Sequence, residues 1–404
     1  MQPYQSGCSS SASNAHDVQI GDFENIEWTD VMKGNGKASS YLVRKGLSRK
    51  AQLAMQIKRY LSKHRDSLLS RCTPFTIILQ TWDAFDEMKV DFGGGTFASF
   101  DSSAVMTVPL RQRLEWCLED EKVTILSKAG DPDFSHWILK SSVTNKGADI
   151  VIVKDWEGLL DALEEVPDIR EWVLQRYISR PLLISGHKFH LRVYVLCTGA
   201  LQVFVFNRVL VLIAAHRYDL DDINDIYRHL SNTARSAEDL NFDEDRFVKL
   251  MDDLPFHLMH ERPDLAPSEA LAREATARIL NDVHAITAEL FAAFENEYTV
   301  FAPMTNCFEV FGLDFMVDEQ LNVSLLEVNP GPDFQQTGDR LRSVIVALWE
   351  QTMQIVLDAD VPALHRQGPS ARAVAVGDRA SEDFSCVYSK QWSASQMAGG
   401  MTFQ

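Results

Sequence analysis

The stretch Phe308-Glu309-Val310-Phe311-Gly312-Leu313-Asp314-Phe315-Met316-Val317-Asp318, followed by Leu325-Leu326-Glu327-Val328-Asn329-Pro330, decides how this chain is read. Both runs are rich in Val, Leu and Phe and are joined by a polar segment, 318–322, the pattern of a hairpin of buried strands. Each strand nevertheless carries an acidic group, Asp314 in the first and Glu327 in the second. Glu327 and Asn329 are two residues apart, so their side chains leave the strand on one face. A hairpin can bring Asp314 alongside them.

A carboxylate among apolar side chains is costly unless something positive offsets it. Two sources fit the pattern. One is magnesium, which takes oxygen ligands and keeps water and phosphate oxygens in its shell. The other is a Lys or Arg from a neighbouring strand. Residues 314, 327 and 329 alone leave both open.

The bulk composition narrows the class of protein. A chain of 404 residues with 46% hydrophobic content can bury cores for two or three domains. Cysteines at 8, 72, 117, 197, 307 and 386 form no C-x-x-C pair, which suits a reducing compartment, the cytosol. No apolar run reaches the roughly 18 residues of a membrane span. The longest candidate, 193–215, is broken by Thr198-Gly199 and Asn207-Arg208. The N-terminus has no charged region leading into an apolar core, so no secretory signal is expected. A net charge of -18 disfavours direct binding to nucleic acid or to an anionic membrane.

One segment runs against that charge. Between residues 31 and 65 lie Lys33, Lys37, Arg44, Lys45, Arg49, Lys50, Lys58, Arg59, Lys63 and Arg65, with no Asp or Glu. Val43, Leu47, Ala51, Ala54, Ile57 and Leu61 recur at helical spacing, so the segment reads as a basic amphipathic helix. Its cations suit either a solvated face or a docking surface for an acidic partner.

Further along, 134–142 and 150–153 read as a hairpin, Asp155 opens a helix that ends before Pro167, and 172–178 is a strand. Residues 190–197 and 201–206 flank Thr198-Gly199-Ala200 as a second hairpin. The pattern between 240 and 297 is helical. Hairpins and helices in this order predict an α+β fold with antiparallel sheets rather than a doubly wound parallel one.

Three segments carry groups suited to a nucleotide. Lys140 ends an apolar strand before a polar loop containing Lys146-Gly147, which fits either a phosphate-binding lid or an exposed turn. The strand around Gln175, Arg176 and Ile178 could offer its backbone to an adenine edge or be an ordinary sheet strand. Lys188, His190 and Arg192 share one strand face, where an anion or a set of carboxylates must relieve their repulsion.

In order, these segments resemble the tubulin-tyrosine ligase-like proteins, a branch of the ATP-grasp ligases, from about 41 to 344. The resemblance rests on Trp137-Ile-Leu-Lys-Ser-Ser with Lys146-Gly147, Val173-Leu-Gln-Arg-Tyr-Ile-Ser-Arg-Pro-Leu-Leu-Ile, Lys188-Phe-His-Leu-Arg-Val-Tyr-Val-Leu, His229-Leu-Ser-Asn232, and the 308–318 and 326–329 motifs. Tyr41-Leu-Val-Arg-Lys-Gly-Leu-Ser-Arg-Lys and Pro332-Asp-Phe-Gln-Gln-Thr-Gly-Asp are most similar to fungal members linked to cytoplasmic processing bodies. The resemblance implies an ATP-grasp fold: two α+β lobes with antiparallel sheets holding ATP between them, preceded by a small N-terminal domain. The expected division is a mobile tail over 1–40, an N-terminal domain with the basic helix over 41–125, a central lobe over 126–186, a C-terminal lobe over 187–360 and a mobile tail over 361–404.

The implied activity is ATP- and Mg2+-dependent ligation of a free amino acid to a carboxylate of an acidic protein or peptide tail, tubulin included, through an acyl phosphate. Lys140 and Lys146 would then contact phosphates, and Gln175, Arg176 and Ile178 would line the adenine edge. Lys188 and Arg192 would hold the substrate carboxylate and the transferred phosphate. Asp314, Glu327 and Asn329 would bind magnesium, with Asn232 nearby. Three positions depart from the family pattern. Ala148-Asp149 replaces a second glycine, His190 replaces the aspartate of the tyrosine ligase, and Asn207 stands where that enzyme has arginine. A carboxylate at 149 facing the phosphates across about 6 Å would cost roughly 3 kcal/mol at an effective dielectric of about 20. The alternative expectation is a weakly active or inactive nucleotide-binding protein of cytoplasmic ribonucleoprotein bodies.

Overall fold

The structure, a computed structural model, describes residues 17–85, 108–143, 149–231, 244–332, 341–358 and 380–390. Two short strands, β1 (Val18–Gln19) and β2 (Lys37–Ala38), pair in parallel near the start. The basic segment then forms one turn, Lys45–Ser48, and the helix Lys50–Lys63. Leu47, Ala51, Leu53 and Ile57 are buried, while Lys45, Arg49, Lys58 and Lys63 are exposed. No local side chain caps this helix. Its first amides are satisfied from the next lobe: Lys50 N–H donates to the Ser142 carbonyl at 3.1 Å and Ala51 N–H to Ser142 Oγ at 3.2 Å.

A four-stranded antiparallel sheet follows, built from β3 (Thr76–Gln80), β4 (Trp137–Ser141), β5 (Ile150–Val153) and β6 (Glu171–Arg176) in the order β3-β6-β4-β5. Helices Leu110–Cys117, Glu119–Leu126 and Trp156–Glu165 cover one face, burying Leu79, Leu139, Trp172 and Leu174. The last of these opens as expected at Asp155, whose carboxylate accepts from Gly158 N–H at 2.9 Å, and closes ahead of Pro167.

The larger sheet holds β7 (Leu183–Ile184), β8 (His187–Thr198), β9 (Gln202–Phe206), β10 (Leu210–Arg217), β11 (Val248–Leu250), β12 (Phe308–Val317), β13 (Val323–Pro330) and β14 (Phe384–Ser389). Its main order is β11-β10-β8-β12-β13, with β7 and β9 also on β8 and β14 on β9. Ser185 and Gly186, at φ 52° and 78°, make the tight reversal from β7 to β8 in the mirror-type turn that suits twisted hairpins. Ile279, Val283, Ile286 and Leu290 of the helix Glu269–Ala293 pack with Phe189, Leu191, Phe311 and Leu313 in the main core. Leu348 and Val356 of the helix Arg342–Asp358 pack with Phe204, Phe206 and Phe308 in a second one.

The β12–β13 hairpin carries a bulge. Asp314 pairs with Glu327 and Phe315 with Leu325, so Leu326 is the extra residue. Val323, Leu325 and Val328 enter the core, whereas Leu326 and Glu327, though consecutive, line the same cavity outside it.

Several expectations need correction. Residues 17–40, expected in a mobile tail, carry β1 and β2 and bury Ile26, Val31 and Ala38 in the main core. The C-terminal tail likewise contributes β14, whose Phe384 and Cys386 are wholly buried. Positions 1–16, 361–379 and 391–404 lie outside the described residues. Residues 41–125 form no separate body: Leu47, Leu53 and Ile57 join the main core, and Leu79, Leu114 and Ile125 join that of the small sheet. Within 240–297, expected to be helical, Val248–Leu250 extends the large sheet, because β10 offers it an edge. No helix among the described residues is long and apolar enough to cross a membrane.

Candidate active site

The two sheets meet at a cavity of about 90 Å³ lined by Lys140, Gln175, Arg176, Tyr177, Ile178, Lys188, His190, His229, Asp314, Leu326 and Glu327 among others. A second cavity, about 500 Å³, lies under the basic helix and shares Lys140, Gln175 and Leu326 with the first. Their sizes bracket a small-molecule site. The fold thus gathers every described residue singled out for nucleotide contact. Lys146 and Asn232 lie outside the described residues.

Sheet register assembles the acidic end. Asp314 lies opposite Arg192 on β8 and opposite Glu327 on β13. Arg192 grips the Asp314 carboxylate with two hydrogen bonds, Nε to Oδ1 at 2.5 Å and Nη2 to Oδ2 at 3.0 Å. Gly312 makes room for this, since a Cβ there would sit 3.2 Å from Arg192 Cδ and 3.0 Å from Pro332 Cβ. Asn329 Nδ2 donates to Asp314 Oδ2 at 3.1 Å and to Glu327 Oε1 at 3.2 Å. Lys50 Nζ lies 3.4 Å from Glu327 Oε2. Burial raises the Glu327 pKa, but Lys50, Lys140 and the Asn329 amide outweigh it and hold the carboxyl down to about 2.

Of the two positive offsets considered from sequence, the structure shows the Lys or Arg one. Asp314 and Glu327 are held by Arg192 and Lys50 and carry oxygens of the kind magnesium takes alongside water and phosphate, while Asn329 turns its Nδ2 toward both and would add an oxygen only with its amide turned over. Among the described residues no group of three or more His, Cys, Asp or Glu is placed to hold a metal ion.

The phosphate-binding end is different. Lys140 Nζ donates to Gln175 Oε1 at 2.9 Å, and Gln175 Nε2 to Thr76 Oγ1 at 3.1 Å. Burial lowers the Lys140 pKa to about 8 despite attraction from Glu327. Lys188, also buried, is pulled down to about 7 by burial and then by Lys140. Its polar partner is the neutral Tyr177 hydroxyl, at 2.7 Å. Two buried lysines that repel one another and lean on neutral acceptors form a site for an anion. The Lys188, His190 and Arg192 face accordingly divides: Arg192 takes a carboxylate, Lys188 a tyrosine, and His190 Nδ1 meets Ser231 Oγ at 2.6 Å. His190 Nε2 is buried with no hydrogen-bond partner, 3.6 Å from Asp314 Oδ1.

The two other departures are local. Asp149 has φ 55°, a left-handed conformation that glycine adopts without strain. Asn207 is tied to Ser385 Oγ at 2.9 Å and His284 Nε2 at 2.9 Å and lines neither cavity.

Sequence reasoning missed three participants. Lys50 was absorbed into the basic helix, Tyr177 lay unremarked between Arg176 and Ile178, and His229 was a motif letter without a task. The Ser142 cap that aims the helix at Glu327 has no sequence signal, because it comes from a distant segment.

Comparison with known proteins bears on the family and the fold. The sequence pattern of the "Tubulin-tyrosine ligase family" matches residues 47–366. "Probable tubulin--tyrosine ligase C12B10.04" of Schizosaccharomyces pombe is 31% identical over 374 residues, 84% of this chain and 82% of that one. "Probable tubulin--tyrosine ligase PBY1" of Saccharomyces cerevisiae is 29% identical over 382 residues, 83% of this chain, which spans only 45% of that relative's length. Among solved structures, the C-terminal domain of K. lactis Pby1, an ATP-grasp enzyme interacting with the mRNA decapping enzyme Dcp2, superposes with a TM-score of 0.63 at 26% identity, covering 96% of this chain and 91% of that one.

Proposed function

The chain belongs to the tubulin-tyrosine ligase family and has the ATP-grasp fold, and from that premise we propose that it is an ATP- and Mg2+-dependent ligase. It joins the amine of a free amino acid to a carboxylate of an acidic protein tail. The observation that carries this reading is the convergence of Lys140, Lys188, Asp314 and Glu327 on one cleft between two sheets.

In this reading Lys140 and Lys188 bind phosphate oxygens, with Lys146 from the adjoining segment. Gln175, Arg176 and Ile178 take the adenine edge. Asp314, Glu327 and Asn329 hold magnesium, and Arg192 works beside Lys188 on the substrate carboxylate and transferred phosphoryl group. When bound, ATP supplies that phosphoryl group and magnesium neutralises its charge. A substrate carboxylate oxygen takes the phosphoryl group, giving an acyl phosphate and ADP. The amine nitrogen then attacks the acyl carbon, the bond from that carbon to the phosphate oxygen breaks, inorganic phosphate departs and the nitrogen loses a proton. The protein's share is positioning and preorganised charge, which buried lysines provide without solvent rearrangement. The test is ADP formation and amino-acid incorporation by purified protein with Mg-ATP and acidic peptides, tubulin tails among them. No ADP from the wild type, with Glu327→Gln indistinguishable from it, sinks the reading.

One observation favours a second reading, a weakly active or non-catalytic protein of cytoplasmic processing bodies with the decapping machinery as partner. Arg192 and Lys50 already neutralise Asp314 and Glu327. Full cellular function of Lys140→Ala would support it, and loss of every role would count against it.

A further inference from the structure

Lys188 is held through a chain of neutral groups. Its Nζ lies 2.7 Å from the Tyr177 hydroxyl and 4.0 Å from the centre of that ring, with the Tyr218 ring at 5.9 Å. The Tyr177 oxygen is 2.8 Å from His229 Nδ1, and His229 Nε2 is 2.9 Å from the Asp222 carbonyl oxygen. Lys188 is 4% exposed, and Tyr177 and His229 are 2% exposed. Tyr218 commits its proton to the Ser179 carbonyl at 2.7 Å, so toward the neighbouring Tyr177 hydroxyl it can only accept.

The far end of this chain fixes its direction. A carbonyl oxygen only accepts, so His229 Nε2 carries a proton. Burial lowers the His229 pKa, and Lys188 adds to that effect, so the ring stays neutral and Nδ1 presents a lone pair. Tyr177 must then donate its hydroxyl proton to Nδ1. What it turns toward Lys188 is its oxygen lone pairs, together with the negative face of its ring.

We propose that Tyr177 and His229 are positioning residues for Lys188: His229 orients the Tyr177 hydroxyl as an acceptor, and that acceptor fixes the lysine in the cleft with its other N–H groups left for the nucleotide's phosphates. The proposal rests on the ligase reading of the cleft. It assigns His229 no contact with the nucleotide and no chemistry of its own. His229 acts only through Tyr177, and this separates a positioning role from general support of the fold.

The experiment is a double-mutant cycle on Mg-ATP affinity by calorimetry. Tyr177→Phe should weaken binding about tenfold, the scale of a lost hydrogen bond to a charged group. His229→Phe should weaken it several-fold in the wild-type background and by less than about twofold once Tyr177 is Phe, since the path is already cut. His229→Asn, which keeps an acceptor near the Nδ1 position, should recover most of the loss. Additive losses, or unchanged affinity in Tyr177→Phe, overturn the proposal. Nitrogen-15 NMR of the histidine rings in the unmodified protein needs no variant to fold. A neutral His229 protonated at Nε2 is expected, and protonation at Nδ1 overturns the relay. If the wild type binds no Mg-ATP, the ligase reading fails with the affinity arm, while the NMR arm still decides the hydrogen-bond order.

Discussion

Lys50, in the first turn of the basic helix, places its ammonium 3.4 Å from Glu327 on β13, so the helix and the acidic cluster are joined by one ion pair. Lys50 also lines the larger cavity under the helix. A segment that reads from sequence as a surface for something else is thus tied to the centre of the molecule.

Glu327→Gln should therefore weaken Mg-dependent ATP binding by at least about tenfold, roughly 1.4 kcal/mol, by removing a charged oxygen from the metal set and leaving the Lys50 ammonium unopposed beside it. Calorimetry with and without magnesium checks this. The same affinity in both proteins would remove Glu327 from the metal set.

Lys140→Met should stabilise the protein at neutral pH while weakening nucleotide binding. The folded-state pKa of about 8 lies below the ordinary 10.5, so the unfolded chain holds the proton more tightly. The burden on stability is fully present below about 8 and is relieved as pH rises toward 10.5. Melting curves should show a gain of a few degrees at pH 7 that shrinks by pH 10. A gap that widens with pH would contradict the assigned shift.

Arg44 pairs with the buried carboxylate of Glu309, which also accepts the Tyr41 N–H at 3.0 Å. Arg44→Ala strands that charge and should cost on the order of 3–5 kcal/mol in denaturant titration. Burial, opposed by Arg44, pushes Glu309 up to about 7 from 4.5. Its contribution is full below about 4.5 and is lost as pH rises through 7, so Glu309→Gln should flatten the stability profile across that window.

Gly312→Ala brings a methyl group against Arg192 and Pro332. Displacement of the guanidinium from Asp314 should appear as several-fold weaker Mg-ATP binding with a stability loss of about 1–3 kcal/mol. Unaltered binding would show that Arg192 yields without leaving the carboxylate.

Docking of an acidic partner on the basic helix is best tested at Lys45, Arg49, Lys58 and Lys63, which are exposed. Arg44 and Lys50 serve internal carboxylates, and reversing them would confound binding with folding. Reversing the exposed four to Glu should weaken binding of an acidic peptide and flatten its salt dependence. Unchanged affinity would make them a solvated face.

Local pattern was enough for the hairpins around 142–150, 198–202 and 318–322, because alternation and turn residues act within a few positions. It was enough for the acidic pair too, since Glu327 and Asn329 share a strand face. It could not show β11 or β14, which are strands because a neighbouring edge needs a partner, nor β1 and β2. The charge bias of 31–65 was plain, but which cations turn inward depends on the carboxylates that the tertiary fold brings beneath them. The hydrogen-bond chain from Asp222 to Lys188 spans four segments and leaves no spacing to read.

The extra residue at Leu326 makes the acidic pair a matter of counting. In an unbulged strand of the same length Glu327 would continue the phase of Val323 and Leu325 and enter the core, and the bulge keeps it with Leu326 on the cleft face. The reversal at 318–322 could be lengthened or redrawn without changing which way Glu327 looks, because the phase is reset beyond it. Deleting Leu326 would restore plain alternation through Leu325, Glu327 and Val328 and leave the acid on the cleft, whereas a residue added between Glu327 and Val328 would set the acid and the core valine at odds.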